Sequence, residues 1–232
     1  MRVPALLRPA PGGLPPEPAA VLRRRRWVVG LTLVVGAGLL GATLTVDADT
    51  PAFFLLGFAL AAVWVVGSLA SGPLHLGRSL HPAPGPAGEA TPGHRAVGGP
   101  ILLGVVAYLA FLVLYLVLRD VPVFEGALEG ILDRADAAAL PLVLALALAN
   151  AVAEEVYFRG ALHEAIGGRQ APVIATAVYV ATTVAGRNVA LVAAALVMGT
   201  VFMLERLATR GILAPALTHV TWSALMILAL PR

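Results

Sequence analysis

Apolar runs dominate this chain, and short polar or Pro/Gly-rich breaks separate them. Seven can be counted, at residues 27–46, 52–71, 100–118, 138–162, 171–186, 188–207 and 212–230. Most approach the ~20 residues that carry an α-helix across a bilayer core. The fifth is short and needs a thin or protein-lined region. Residues 121–136 follow a different rule. Acids alternate there with Val123, Phe124, Leu128, Ile131 and Leu132. That amphipathic period predicts a short helix lying on the membrane surface. The pattern therefore predicts an all-α fold, a polytopic membrane helix bundle with about seven transmembrane helices.

Composition agrees. The chain is 59% hydrophobic and 12% charged, with mean hydropathy +0.88, whereas soluble domains average about 25% charged residues. There is no cysteine, which excludes disulfides, thiolate metal sites and cysteine nucleophiles. Charge adds a direction. With the N-terminus in the cytoplasm, the inside segments carry Arg2, Arg8, Arg23 to Arg26, Arg78, Arg95, Arg159, Arg169, Arg206 and Arg210. Only Arg119, Arg134, Arg187 and Arg232 fall outside, together with Asp47, Asp49, Asp120, Glu125, Glu129, Asp133 and Asp136. Basic residues concentrate on the cytoplasmic side of membrane proteins, so we expect a multi-pass cell-membrane protein with a cytoplasmic N-terminus and an external C-terminus. The apolar run after Arg23 to Arg26 exceeds a signal-peptide core and lacks a clear cleavage site, which predicts a retained anchor.

Three regions are expected. Residues 1–22, rich in Pro, Ala and Gly, form a disordered cytoplasmic tail. Residues 23–137 form a spacer half with three spans. Residues 138–232 form a site half with four. The Pro/Gly-rich stretch 72–99 is a cytoplasmic loop. Its His75, His81 and His94 lack partners at a fixed helical spacing, and we read them as solvated.

The site half earns its name from polar residues at membrane depth. Charged side chains inside a bilayer face a protein interior or a watery cavity, and they mark functional sites. The fourth span carries Glu154, Glu155, Arg159 and His163. Glu155 and Arg159 are i,i+4 neighbours and can pair. Glu154 has no obvious partner within its own helix. The fifth span carries Tyr179 and Thr183, and the seventh carries Thr218, His219, Trp222 and Ser223. Three polar stripes at i,i+4 spacing can converge only if the helices face one another.

These residues resemble the CPBP intramembrane proteases, which include CAAX prenyl endopeptidases and Abi-type proteins. Glu154-Glu155-Val-Tyr-Phe-Arg159 matches the family's Glu-Glu-x-x-x-Arg motif in full, with the Gly that often follows. Tyr179 takes the aromatic place of the second motif, but Thr183 stands where His is usual. His219 matches the third motif, His-x-x-x-Asn or Asp, while Ser223 replaces its last residue. The resemblance covers about residues 138–230. It implies a site inside the bundle, open to the cytoplasmic side, where a glutamate-activated water hydrolyses a peptide bond. Glu154 is then the general base. Glu155 and Arg159 hold helix geometry and local charge. His219 stabilises the oxyanion or protonates the leaving amine. Ser223 retains one hydrogen-bond donor where Asn has two.

Thr183 cannot titrate and is a poor metal ligand, so any divalent metal held by the glutamate and two histidines would find an incomplete ligand set. His163 is a replacement by helix position only. The metal status therefore stays open. The expected partners are a peptide or membrane-protein substrate and the lipid bilayer, with oligomeric state undetermined. The alternative function is a catalytically impaired member acting as a non-catalytic membrane binding or immunity protein. A blander reading makes Glu154, Glu155 and Arg159 a buried ion network that fixes packing. A transporter using Glu154 as proton carrier lacks the inverted repeat such folds show. His163-Glu164 has no second His at zincin spacing, and nothing beyond one four-arginine run suggests nucleic acid.

Overall fold

The computed structural model describes residues 18–43, 45–77, 97–136 and 138–230, and every regular element among them is helical. The tail to residue 17, most of the 72–99 loop with His81 and His94, and Arg232 lie outside the described residues. Eight helices follow one another: α1 (Ala19–Thr43), α2 (Pro51–Ser71), α3 (Gly98–Leu118), α4 (Pro122–Asp136), α5 (Leu140–Ile166), α6 (Ala171–Val184), α7 (Val189–Thr209) and α8 (Leu213–Ala229). Five of them, α1, α2, α3, α5 and α7, are long and apolar enough to cross a bilayer. Helices α6 and α8 are the shorter apolar pair. The seven expected spans therefore all have helical counterparts, and the seventh is shorter than its apolar run suggested. The chain is a multi-pass membrane protein.

Local sequence explains the helix ends. Thr50 caps α2 by accepting from the Phe53 amide at 3.4 Å, with Pro51 in the first turn, where no amide hydrogen is needed. Asn188 caps α7 through the Leu191 amide at 3.0 Å, and its Nδ2 donates to the Ala127 carbonyl of α4 at 2.7 Å. That single side chain starts one helix and ties down another. Gly167 and Gly168, at φ 64° and 69°, make the turn that separates α5 from α6.

Close helix approach rests on small residues, the usual device where lipid supplies no hydrophobic drive. Gly36 of α1 faces the Trp64 ring of α2, and Gly67 of α2 faces Thr32 of α1. A Cβ at either glycine would collide. Trp64 then stacks on Tyr157 of α5 with ring centroids 4.2 Å apart. The Tyr157 hydroxyl donates to the Val29 carbonyl at 2.8 Å. On the opposite flank, Gly104 of α3 lies against Thr218 and Thr221 of α8, and the Tyr108 hydroxyl donates to the Ala229 carbonyl at 2.8 Å. The first three spans thus clasp the last four from two sides. Outward-facing Leu31, Val34, Leu55, Val66, Leu102, Val113, Val173 and Leu196 are exposed, as a lipid-facing belt requires.

One end of the bundle gathers basic residues. Arg26 donates to the Ala165 carbonyl at 2.9 Å, and Arg24 to that of Ala70 at 3.3 Å. The segment after α2 returns to the same end. Its His75 and Leu76 carbonyls accept from the Ile212 and Leu213 amides, at 2.9 and 3.1 Å. These satisfy donors that the start of α8 would otherwise leave orphaned. The amphipathic α4 lies at the other end. Phe124, Leu128 and Leu132 face an apolar cavity of about 370 Å³, while Glu125, Glu129 and Asp133 are exposed.

Candidate active site

Helix α5 changes geometry where the site begins. It is an ordinary α-helix to Glu154, a π-helix over Glu155–Leu162, and α-helical again over His163–Ile166. Such π segments are rare and occur often at functional sites. The whole π segment is buried except Val156. Its wider turn leaves the Arg159 carbonyl to accept from Arg206 Nε of α7 at 2.9 Å. Arg206 also pairs with Glu164. A side chain from α7 thus inserts at the irregular turn, a recognised way of stabilising a distorted helix.

Within that segment Glu155 is the hub. Its Oε1 accepts from Arg159 at 3.1 Å and from His219 Nδ1 at 2.9 Å. Glu155 and Arg159 are wholly buried, and His219 is 6% exposed. A carboxylate can only accept, so Nδ1 of His219 carries the hydrogen and Nε2 is the ring atom left for other partners. The ring is also stacked on Phe202 of α7 at 4.5 Å. Arg159 donates to the Gly199 carbonyl at 3.1 Å and lies 4.3 Å above the Tyr179 ring. Gly199 permits this approach, because a Cβ there would crowd both Tyr179 and Arg159.

Glu154 sits at the lip of this arrangement. It is partly exposed, unlike Glu155. Its carboxyl interacts with His219, Tyr179, Arg159 and Glu155. The stripes on α5, α6 and α8 therefore do converge, and Glu154, Glu155, Arg159, Tyr179 and His219 form one cluster.

The two departures from the family motifs lie differently. Thr183 donates to the Tyr179 carbonyl of its own helix at 3.1 Å, so its hydroxyl is turned back onto α6. Ser223 lines the apolar cavity beneath α4 with Trp222 and Phe111. Tryptophan 222 stands between the cavity and His219, its ring 5.9 Å from the imidazole. His163 lies beside Glu164, 3.9 Å away. Among the described residues no group of three or more His, Cys, Asp or Glu could hold a metal ion. The described side chains do not fit a multi-ligand metal centre.

Three contributors escaped the sequence reading. Phe202, Glu205 and Arg206 all come from α7, which looked purely apolar apart from its last turn. An acid about one turn before the end of that helix, adjacent to a basic residue, was the signal available. Glu205 Oε1 lies 2.8 Å from the hydroxyl of Thr218, the residue directly before His219.

Fold and site together define a polytopic membrane protein with a buried carboxylate–histidine–arginine cluster. Residues 136–225 match the family described as Rce1-like, type II CAAX prenyl endopeptidases. The match spans the site half and agrees with the CPBP resemblance of its motifs. Comparison with curated proteins and with solved structures gives no match.

Proposed function

We propose that the chain is an intramembrane endopeptidase that hydrolyses a peptide bond with a water activated by Glu154. The observation that carries this reading is the single oxygen of Glu155 that accepts from both Arg159 and His219. It fixes the imidazole and leaves Glu154, partly exposed beside the ring, without an ion pair of its own. Carboxylate-to-histidine hydrogen bonds of this kind set tautomer and ring orientation in hydrolases. Glu154 takes a proton from water as the water oxygen bonds to the scissile carbonyl carbon. His219, protonated at Nε2, faces the developing oxyanion, and Glu155 balances the imidazolium charge. The proton held by Glu154 then passes to the leaving nitrogen as the carbon–nitrogen bond breaks. Arg159 holds Glu155 in place.

The match to CAAX-type endopeptidases makes a C-terminal peptide segment delivered at the membrane the expected substrate class. The arginine-rich end of the bundle is the cytoplasmic end on charge grounds. The test is cleavage in proteoliposomes by wild type, Glu154→Ala and His219→Ala in parallel. Cleavage that persists in Glu154→Ala defeats the reading.

A second reading rests on Thr183 and Ser223. With the Thr183 hydroxyl turned to its own backbone and Ser223 lining the outer cavity, neither supplies what the family motif residues supply. A non-catalytic binder or immunity protein keeps the fold and the Glu155–Arg159 pair and has no use for Glu154. Its signature is a cellular phenotype unchanged in Glu154→Ala at normal abundance.

A further inference from the structure

The Thr218 hydroxyl poses a hydrogen-counting problem. Its Oγ1 lies 3.0 Å from the Pro100 carbonyl oxygen of α3 and 2.8 Å from Glu205 Oε1 of α7. Thr218 itself is fully buried. A hydroxyl has one hydrogen to give. A carbonyl only accepts, and an ionised carboxylate only accepts. With Glu205 ionised, the one hydrogen would have to be shared between two acceptors, and each contact would be weakened. Both contacts are satisfied when Thr218 donates to Pro100 and Glu205 donates to Thr218.

The surroundings agree. Glu205 Oε2 is buried and has no hydrogen-bond partner. An unpartnered oxygen of a neutral acid is far less costly to bury than that of a carboxylate. The groups acting on Glu205 are the Thr218 hydroxyl from α8 and the like charge of Glu155 from α5. Its neighbour Arg206 turns instead to Glu164 and the Arg159 carbonyl. No cation among these offsets a charge on Glu205.

The location gives the acid a task. Thr218 immediately precedes His219. Phe202, one turn before Glu205 on α7, stacks on the His219 ring. Helix α7 therefore grips the Thr218–His219 step at two points. We propose that Glu205 is a positioning residue, held as a neutral carboxylic acid whose proton is donated to Thr218, and that the resulting Glu205–Thr218–Pro100 chain fixes His219 against Glu155. The role of His219 in catalysis rests on the function proposed above, whereas the proton on Glu205 does not.

Infrared difference spectroscopy on the full chain in proteoliposomes, with glutamate carbon-13 labelled at the carboxyl, tests the protonation. At neutral pH the wild type should show a protonated-carboxyl stretch that Glu205→Gln removes. Thr218→Val, which deletes the acceptor, should shift the same band. A spectrum with no such band, or a band unmoved by Thr218→Val, overturns the proposal. Kinetics test the positioning. Glu205→Gln keeps a donor for Thr218 and should cleave within about twofold of wild type. Glu205→Ala should lower kcat about tenfold with little change in KM, the equivalent of one buried hydrogen bond. Wild-type kcat in Glu205→Ala overturns the positioning role. A wild type that cleaves nothing defeats the protease reading alone, because the infrared measurements need no activity.

Discussion

His219 and Glu155, 64 residues apart in sequence, meet at 2.9 Å between Nδ1 and Oε1. The same oxygen holds Arg159 at 3.1 Å. Glu155 is thus both the counter-charge of a wholly buried arginine and the orienting partner of the histidine. The pairing separates the two adjacent glutamates by role. In the proposed function Glu155 is the structural and orienting group, and Glu154, partly exposed beside it, is the general base.

That separation predicts opposite phenotypes. Glu155→Ala strands the guanidinium of Arg159 in the interior, and breaking a buried pair from one side costs about 3–5 kcal/mol. It should lower both the protein level and the resistance to unfolding in mild detergent. Glu155→Gln should be milder, because its amide oxygen still accepts from Arg159. Quantitative immunoblots with thermal unfolding of the purified variants check the order. Normal abundance and unfolding in Glu155→Ala would refute the hub role.

Glu154→Gln should leave stability near wild type, since the side chain is partly exposed and has no ion pair. Loss of a positioned general base should reduce cleavage about 10²-fold or more. The readout is the initial rate of peptide cleavage in proteoliposomes at matched protein level. A rate within a few-fold of wild type would remove Glu154 from the chemistry.

Thr183 tests the departure from the family pattern. A hydroxyl that oriented the attacking water would make Thr183→Val costly. Its observed acceptor is the Tyr179 carbonyl one turn back, a backbone group that the helix can satisfy without it. Bonds of this local kind contribute little to helix stability. Thr183→Val should therefore change cleavage by less than about threefold, within the range of substitutions that remove no essential contact. Thr183→His should be tolerated or raise activity if the missing imidazole has room beside Glu154. Side-by-side rates of the two variants decide. A large loss in Thr183→Val would show that the hydroxyl leaves its own helix during the reaction.

The arginine end and the acidic end of the bundle predict topology. The native chain has no cysteine, so single cysteines report without background. Asp49, in the exposed link between α1 and α2, should be labelled from outside intact cells when changed to cysteine. Arg169, in the exposed turn after α5, should be labelled only after permeabilisation. The reverse result would invert the bundle and place the site near the wrong face.

Much of this was legible in the chain because the bilayer is so strict a solvent. Length and apolar content alone mark helices there, since backbone groups must pair internally. Glu154, Glu155, Arg159 and His219 stood out because charge at membrane depth is rare. Periodicity shows which face a residue occupies but not what it meets, so the Glu155–His219 bond across two helices was hidden. The π segment was hidden too, because no residue of Glu155–Leu162 forbids an ordinary α-turn. Arg206 and Glu205, near the end of α7, resembled residues that reach for the membrane surface. Only packing reveals that both turn inward.

Arg206 supplies the last prediction. Its Nε donates to the Arg159 carbonyl at 2.9 Å, and its guanidinium pairs with Glu164. The first bond closes the irregular turn of α5, and the second ties the last turn of that helix to α7. Lysine keeps the charge for Glu164 but has no second donor in a fixed fork. Arg206→Lys should therefore lose the bond to the π segment while retaining the ion pair. A buried hydrogen bond from a charged donor contributes about 1.5–3 kcal/mol, and this loss should appear as lower thermal stability. Glu164→Gln removes the ion pair and leaves the Arg159 carbonyl served, so it should affect activity less than Arg206→Lys does. Hydrogen exchange of the α5 amides, compared between the two variants, locates the effect. Protection lost over residues 155–162 in Arg206→Lys, and kept in Glu164→Gln, is the expected outcome. Equal protection in both would mean that the π turn holds without its partner on α7.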